Sequence, residues 1–116
     1  MLLTPEQARE MRAQIGLHTG RLVVMKSPAL DEGTEQPLDS TAVTVGRDMQ
    51  NDIALPGDHF ASSTHARFDP RPDGVWLEDA GSTNGTYLNG VRLKRARKIE
   101  PGDVIRIGET DLRFDR

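Results

Sequence analysis

The sequence predicts an all-β protein, a sandwich of two twisted sheets, and three observations support this class. Apolar residues after position 20 occur in short runs with a period of two, which is typical of strands. Gly, Pro and Asn separate these runs at spacings of about ten residues, as in β-sandwiches. The length of 116 residues suits one domain. We assign residues 20–116 to the sandwich and residues 1–19 to a short helical segment or linker.

Several segments fit the strand pattern. They are Arg21–Met25, Thr41–Val45, Asp52–Leu55, Thr64–Phe68, Val75–Glu78, Thr86–Leu88, Val91–Leu93, Val104–Ile107 and Leu112–Phe114. The polar residues 28–37 predict a loop between the first two strands. Asn89-Gly90 is the preferred pair for a type I′ hairpin turn, because both residues tolerate positive φ. Pro72-Asp73-Gly74 and Pro101-Gly102-Asp103 predict two further tight turns.

Alternation along these strands predicts which side chains face the interior. The predicted core consists of Val23, Val43, Val45, Ile53, Leu55, Leu77, Ile105, Ile107, Leu112 and Phe114. Trp76 fits either the core or an exposed position on a strand, and a single Trp is more often packed than exposed.

The N-terminal segment carries the helix signal of the chain. Thr4 and Gln7 have the spacing of a reciprocal capping box, and Gly16 would end the helix. Ala8 and Met11 then lie on one helical face. A helix of about a dozen residues is marginal alone, so we expect this one to dock on the sandwich or on a partner, or to fray.

Composition argues against several classes of protein. The formal net charge of −3 argues against a surface that tracks nucleic acid, because that binding depends on many Lys and Arg contacts. The absence of Cys excludes disulfides, Cys-ligated metal centres and a thiol nucleophile. No apolar run has the length of a membrane span, and no signal-peptide layout is present. We therefore expect a cytoplasmic protein, or one at the inner face of the membrane as part of a longer protein.

Three polar segments are not required to form a β-sandwich. Gly46-Arg47 ends a predicted strand, Ser62-Ser63-Thr64-His65 begins near another, and residues 81–85 form a turn of hydroxyls, an amide and Gly. An Arg fork and hydroxyl donors suit phosphate, which offers three strong acceptor oxygens, and Gly lets the backbone approach an anion. The alternative is that these residues only form turns and that Arg47 is a solvated rim residue.

The order of the motifs along the chain resembles the forkhead-associated (FHA) domain. The motifs are Gly46-Arg47, Asn51-Asp52-Ile53-Ala54-Leu55, Ser62-x-x-His65-Ala66, Leu77-x-Asp79-x-Gly81-Ser82-Thr83-Asn84-Gly85-Thr86-Tyr87-Leu88-Asn89-Gly90, Gly102-Asp103-x-Ile105-x-Ile107-Gly108 and Leu112-x-Phe114. No single motif is specific, but the ordered set is. The segment Asp58-His59-Phe60-Ala61-Ser62 further resembles actinobacterial FHA proteins that act beside membrane-associated Ser/Thr kinases and the peptidoglycan and division machinery.

The resemblance implies an eleven-stranded sandwich whose loops bind phosphothreonine peptides. The residues implied to contact phosphate are Arg47, Ser62, Ser63 and Thr83. Asn84 is implied to bond the peptide backbone, and Gly46 and His65 are implied to support the loops. Many FHA domains have Arg directly after the motif Ser, where this chain has Ser63. Arg47 is then the main positive charge at the phosphate. Compared with FHA domains that have the second Arg, we expect either a lower affinity for phosphate or a larger contribution of hydroxyl groups and backbone amides to binding.

Other kinds of site fit the sequence less well. Ser62 with His65 or His59 lacks the G-x-S-x-G turn of a hydrolase, and an imidazole that braces a loop is a poor general base. Asp52 and Asp58 together with these His residues lack a recognised metal-ligand spacing. We therefore expect no enzymatic activity, no cofactor and no metal ion.

Residues 92–98, with the sequence RLKRARK, include five basic side chains. This pattern favours the outer face of a strand and the loop after it, with Leu93 and Ile99 turned inward. Nucleic-acid binding and docking of an acidic partner are the alternatives for this segment.

The sequence therefore predicts a non-enzymatic recognition module that binds a threonine after a Ser/Thr kinase has phosphorylated it. The expected partners are phosphothreonine-containing proteins, including the kinase or its substrates, and the expected state is a monomer. The alternative is a constitutive scaffold that binds an unphosphorylated partner through a sheet face.

Overall fold

The computed structural model describes residues 2–15 and 20–116, without the side chains of residues 12–15. These residues form a helix and two sheets. The elements are α1 (Pro5–Ile15), β1 (Arg21–Lys26), β2 (Glu35–Pro37), β3 (Val43–Gly46), β4 (Ile53–Ala54), β5 (Ala66–Arg71), β6 (Gly74–Asp79), β7 (Thr86–Leu88), β8 (Val91–Arg92), β9 (Arg97–Lys98), β10 (Val104–Ile107) and β11 (Thr110–Asp115). The six-stranded sheet has the order β2-β1-β11-β10-β7-β8, and the five-stranded sheet has the order β4-β3-β5-β6-β9. The prediction of a two-sheet β-sandwich is confirmed.

The apolar faces of the two sheets pack against each other. Every side chain predicted for the core is buried, and Phe68 is buried with them. Val23 is the exception in its placement, because it lies outside the core cluster, to which its neighbours Leu22 and Val24 belong.

Trp76 is partly buried. Its indole ring lies 4.7 Å from the guanidinium carbon of Arg71, and its Nε1 donates to the Asp73 carboxylate at 2.9 Å. Because its neighbours Val75 and Leu77 face the core, Trp76 packs on the outer face of its sheet.

Two predicted turns have the geometry that their sequences require. Asn89 and Gly90 have φ angles of 50° and 82°, and they join β7 to β8 with Leu88 opposite Val91. Positive φ at both positions is the type I′ arrangement. In the β5–β6 hairpin, Arg71 lies opposite Gly74 across the turn of residues 72–73.

Two edge strands, β2 and β9, are absent from the sequence prediction. The predicted loop over residues 28–37 is wrong at its end, because Glu35–Pro37 pairs antiparallel with β1. In the basic segment, Arg97–Lys98 pairs antiparallel with β6. Both strands are short and polar, as edge strands commonly are, so backbone pairing rather than apolar alternation defines them.

Helix α1 docks beside β2. Thr4 Oγ1 accepts from Gln7 N at 3.2 Å, and Gln7 Oε1 accepts from Thr4 N at 3.1 Å, as the capping box predicts. Leu3 forms an antiparallel bridge with Glu35, and Ala8 is buried. The predicted end of the helix at Gly16 lies outside the described residues. Within residues 2–15 and 20–116, no helix combines the length and apolar character needed to cross a membrane.

Candidate phosphopeptide-binding site

Three neighbouring loops carry the residues that the sequence analysis assigned to the site. Loop 1 is residues 47–52 between β3 and β4, loop 2 is residues 55–65 between β4 and β5, and loop 3 is residues 80–85 between β6 and β7. Gly46 ends β3, and the loops contain Arg47, Ser62, Ser63, His65, Thr83 and Asn84. Hydrogen bonds join each loop to the next, so the structure brings all seven residues together.

Loops 1 and 2 are joined through their backbones. Arg47 N donates to Ser62 O at 2.9 Å, and Asp48 N donates to Ser63 O at 3.2 Å. These bonds lie just beyond the antiparallel pairing of β3 with β5, which ends with Val45 opposite Ala66. The exposed Arg47 side chain therefore leaves the sheet directly beside Ser62.

Gly46 permits this close approach. A Cβ atom at Gly46 would collide with the Ser63 carbonyl oxygen and lie 2.8 Å from Asn51 Nδ2. Asn51 is buried and donates to the carbonyl oxygens of Asp48 at 2.8 Å and Ser63 at 2.7 Å. Asn51 thus holds loops 1 and 2 together, a role that sequence reasoning missed although the residue belongs to the family motif.

Loops 2 and 3 meet at Ser62. Its Oγ accepts a hydrogen bond from Thr83 N at 3.0 Å. Since the hydroxyl uses a lone pair for this bond, its own hydrogen is available to another acceptor. Arg47 Nη1 donates to His59 O at 3.4 Å, a long bond that leaves most of the guanidinium donors facing solvent. Arg47, Ser62 and Thr83 therefore adjoin at one surface.

His65 bridges loops 2 and 3 from beneath. Its side chain is fully buried, its Nδ1 accepts from Ser62 N at 3.0 Å, and its Nε2 lies 2.8 Å from Gly85 O. Because an N–H group donates to Nδ1, the ring hydrogen lies on Nε2 and is donated to the Gly85 carbonyl. One neutral imidazole thus fixes the loop positions of Ser62 and Gly85.

Asn84 makes a further connection between the same two loops. Its Nδ2 donates to Phe60 O at 2.9 Å, and its side chain is exposed. The sequence analysis assigned Asn84 to a peptide backbone, and the structure adds a partner within the protein. An amide nitrogen has two hydrogens, so the bond to Phe60 occupies only one of them.

Asp79, at the end of β6, shapes loop 3. Its Oδ2 accepts from Gly81 N and Ser82 N at 3.0 Å each, and its Oδ1 accepts from Thr86 Oγ1 at 2.7 Å and from Ser82 Oγ. Partial burial opposes the charged form, but these hydrogen bonds outweigh it and lower the pKa of Asp79 below its ordinary value. Sequence reasoning missed this role, although an Asp two residues before Gly-Ser is a signal for such a turn.

Asp58 fixes loop 2 to the turn between β10 and β11. The carboxylate is fully buried and accepts from Phe60 N at 3.1 Å, Glu109 N at 2.9 Å and Thr110 Oγ1 at 2.8 Å. Asp58 belongs to the segment that resembles actinobacterial FHA proteins, and its spacing argued against a metal ligand, but this anchoring role was not predicted. Within the part of the chain that the structure describes, no cluster of His, Asp and Glu side chains could hold a metal ion.

Comparison with known proteins identifies the family. The family model of the FHA domain matches residues 43–108, which contain loops 1, 2 and 3. The chain belongs to the FHA family. FHA domains are protein-interaction modules that recognise phosphothreonine peptides. The resemblance stated from the motifs is therefore confirmed.

The relatives include bacterial FHA proteins. The FHA domain-containing protein FhaB of Mycolicibacterium smegmatis is 40% identical over 93 residues, which cover 80% of this chain and 59% of FhaB. This relative agrees with the narrower resemblance to actinobacterial proteins. The chain spans about three fifths of the length of the FhaB relatives that it matches.

Two solved structures share the fold. The FHA domain of CT664 from Chlamydia trachomatis is 28% identical with a TM-score of 0.75, and the match covers 85% of this chain and 98% of that one. Mycobacterium tuberculosis EmbR in complex with a low-affinity phosphopeptide is 27% identical with a TM-score of 0.75, and the match covers 88% of this chain and 26% of that one.

Proposed function

We propose that this protein binds partner proteins through a phosphorylated threonine. In this proposal Arg47, Ser62, Ser63 and Thr83 contact the phosphate. The observation that carries it is the hydrogen bond from Thr83 N to Ser62 Oγ, directly beside the exposed Arg47 side chain. This bond uses a lone pair of the Ser62 hydroxyl and leaves its hydrogen free for a further acceptor, next to a guanidinium.

The chemistry of these groups suits a phosphate monoester. A phosphothreonine carries a charge of about −1.5 to −2 and three acceptor oxygens at neutral pH. Arg47 supplies the positive charge and a planar fork of donors. Ser63 and Thr83 are exposed, so their hydroxyl groups lie within reach of solvent and of a ligand. Together these groups offer several donors to the three phosphate oxygens, while Arg47 offsets part of the negative charge.

Asn84 would then bind the peptide backbone beside the phosphothreonine. Its second amide hydrogen and its carbonyl oxygen suit a peptide N–H and C=O group. The bond to Phe60 O holds the amide in one orientation before a ligand arrives. Gly46 and His65 support the site without touching the ligand in this proposal, because both are buried.

The phosphorylated partner would be a Ser/Thr kinase or one of its substrates, and the protein itself would act as a non-enzymatic monomer. The EmbR complex with a phosphopeptide supports this type of ligand. The absence of Cys agrees with a reducing compartment, so we place the protein in the cytoplasm, or at the inner face of the membrane as part of a longer protein.

Binding to a phosphothreonine peptide library tests the proposal, with phosphoserine and unphosphorylated libraries as controls. We expect Arg47→Ala to weaken phosphothreonine binding about tenfold to a hundredfold, because charge-assisted hydrogen bonds contribute about 1.5–3 kcal/mol. The matched control is Arg9→Ala, which removes an exposed Arg on α1. Thermal unfolding should be nearly the same for both variants.

The control libraries also distinguish the alternatives. Burial of the threonine γ-methyl contributes about 1 kcal/mol, so phosphoserine peptides should bind several-fold to about tenfold more weakly. Equal binding of the phosphorylated and unphosphorylated libraries would contradict the proposal and favour a constitutive scaffold. If Arg47→Ala keeps the native affinity for phosphothreonine peptides, the assignment of Arg47 to the phosphate site is wrong.

A further inference from the structure

The segment of residues 92–98, called the basic segment here, concentrates positive charge on an acidic protein. It contributes +5 to a chain of formal net charge −3, so the rest of the chain carries −8. Arg92, Lys94, Arg95, Arg97 and Lys98 are all exposed. Such a local reversal of sign creates a potential that attracts a local acidic ligand.

The basic segment is attached firmly to the sandwich. Leu93 N donates to Thr86 O at 2.8 Å, and the Leu93 side chain packs against the core. At the other end, Ile99 is buried and its N donates to Val75 O at 2.9 Å. The charges between these two anchors are therefore presented on a fixed backbone, as the sequence pattern predicted for Leu93 and Ile99.

The same segment lies against loop 3 of the phosphate site. A Cβ atom at Gly85 would lie 2.6 Å from Arg92 Nε, so the Arg92 side chain covers this residue. A groove of about 550 Å³ separates Leu93, Lys94, Arg95 and Ala96 from Gly81. Because Gly81 and Gly85 are the two ends of the turn that holds Thr83, the groove adjoins the proposed phosphate contacts.

Four of the five cations of the basic segment are free to bind a ligand, and two of these, Lys94 and Arg95, line the groove. Among the described residues, no carboxylate forms an ion pair with Arg92, Lys94, Arg95 or Arg97. Two carboxylates, those of Glu78 and Asp79, also line the groove. Glu78 is paired with Arg71 at 2.9 Å. Asp79 accepts the hydrogen bonds that shape loop 3 and keeps its negative charge. Lys94 and Arg95, which also line the groove, outnumber this one charge.

We propose that this groove binds a run of Asp and Glu residues in the same partner that supplies the phosphothreonine. This inference rests on the proposed function and adds a preference in the partner sequence. Gly81 and Thr83 are two residues apart, which limits the separation of their Cα atoms to about 7 Å. An extended peptide advances about 3.3 Å per residue, so the acidic run begins roughly two positions from the phosphothreonine, and a run of three ends within roughly five positions.

An acidic segment suits this groove better than a nucleic acid does. The charge of −8 outside the basic segment repels a long polyanion that must follow the protein surface. A short acidic run contacts the groove alone, and the neighbouring phosphate site holds it at high effective concentration. Each contact is weak at an exposed position, but several contacts on one tethered peptide add to a measurable preference.

Titration of synthetic phosphothreonine peptides tests the inference. Three peptides share one sequence with a single phosphothreonine: one has neutral flanks, one has three Glu residues before the phosphothreonine, and one has three Glu residues after it. We expect one acidic peptide to bind roughly threefold to tenfold more tightly than the neutral peptide. This advantage should shrink when NaCl rises from about 50 mM to about 500 mM, because salt screens exposed charges.

The double variant Lys94→Glu/Arg95→Glu should remove that advantage and keep the affinity for the neutral peptide. The control Arg9→Glu/Arg116→Glu changes the net charge equally at two exposed positions outside the basic segment, and should keep the advantage. An equal advantage in both double variants would overturn the groove assignment. So would equal binding of all three peptides to the native protein, with the phosphothreonine function left intact.

Failure of the proposed function has a different result. If none of the three phosphopeptides binds, both the phosphothreonine function and the acidic preference are overturned. A binding measurement with a DNA duplex tests whether the groove binds nucleic acid instead of an acidic peptide. The inference is wrong if the native protein binds this duplex, the variant Lys94→Glu/Arg95→Glu does not, and the native protein shows no preference for acidic peptides. The groove would then be a nucleic-acid surface.

Discussion

His65 and Asn84 both join loops 2 and 3, but burial makes the consequences of removing them different. His65→Ala leaves Ser62 N and Gly85 O without their partners in a fully buried position. An unsatisfied buried polar group costs about 1–3 kcal/mol, so we expect a loss of about 2–4 kcal/mol in the free energy of unfolding. Asn84→Ala removes one bond at an exposed position and should cost less than about 1 kcal/mol.

Thermal unfolding with and without a phosphothreonine peptide measures this difference. His65→Ala should lower Tm by roughly 10 °C or more, since about 1 kcal/mol corresponds to roughly 4–8 °C in a small domain. Asn84→Ala should keep Tm and weaken peptide binding about tenfold. A stable His65→Ala variant paired with an unstable Asn84→Ala variant would contradict both assignments.

Single residues also show where the sequence was informative. The family resemblance assigned Arg47, Ser62 and Thr83 to the phosphate, and the structure brings these three residues together. Asn51 and Asp58 hold loops 1 and 2 in place through hydrogen bonds, yet the residues around them in the sequence are those of ordinary turns. Their importance comes from burial and from long-range partners, such as the bond from Glu109 N to Asp58 at 2.9 Å. One sequence without a structure does not reveal such contacts.

Loop 3 depends on the charge of a single carboxylate, which makes its stability dependent on pH. In the folded protein, hydrogen bonds lower the pKa of Asp79 below the ordinary value of 3.8 that the unfolded chain has. Protonation therefore favours the unfolded chain. The stabilisation is complete above the unfolded pKa and is lost as the pH falls through the lower, folded pKa.

The variant Asp79→Asn tests this dependence. It should be less stable than the native protein at pH of about 7, and the difference should shrink as the pH falls below about 4. Urea unfolding across this pH range measures it. The control Asp31→Asn changes an exposed carboxylate in the segment before β2 and should cost little throughout. A constant deficit for Asp79→Asn down to low pH would show that its charge does not stabilise loop 3.

Strands differed in how well their sequences predicted them. The strands β3, β5, β6, β10 and β11 follow apolar alternation, because both sheets bury one face of each strand. In β1 three consecutive apolar residues are buried. The edge strands β2 and β9 lack both signals. Residues 35–37 and 97–98 are polar, and only pairing with β1 and β6 makes them strands. The capping box of α1 was predictable because its two bonds join residues three positions apart.

At the scale of the whole molecule, the docked N-terminal segment bears on self-recognition. Thr4 precedes Pro5 and is exposed, so a kinase could reach it in principle. A second copy that bound phosphorylated Thr4 would make a phosphorylation-dependent dimer. However, Thr4 Oγ1 caps α1, and Leu3 exchanges backbone hydrogen bonds of 2.6 and 2.7 Å with Glu35. A ligand strand at Thr4 would have to break these contacts.

We therefore expect the protein to remain a monomer after treatment with a Ser/Thr kinase. Each lost backbone bond costs about 0.5–1.5 kcal/mol, and release of α1 also exposes the buried Ala8. Thr19, the other candidate threonine of this segment, lies outside the described residues. Sedimentation before and after phosphorylation measures the state of the native protein and of Arg47→Ala. A dimer that forms only after phosphorylation and disappears in Arg47→Ala would contradict the monomer and assign this segment as a ligand, because the same phosphate contacts would then hold a second copy.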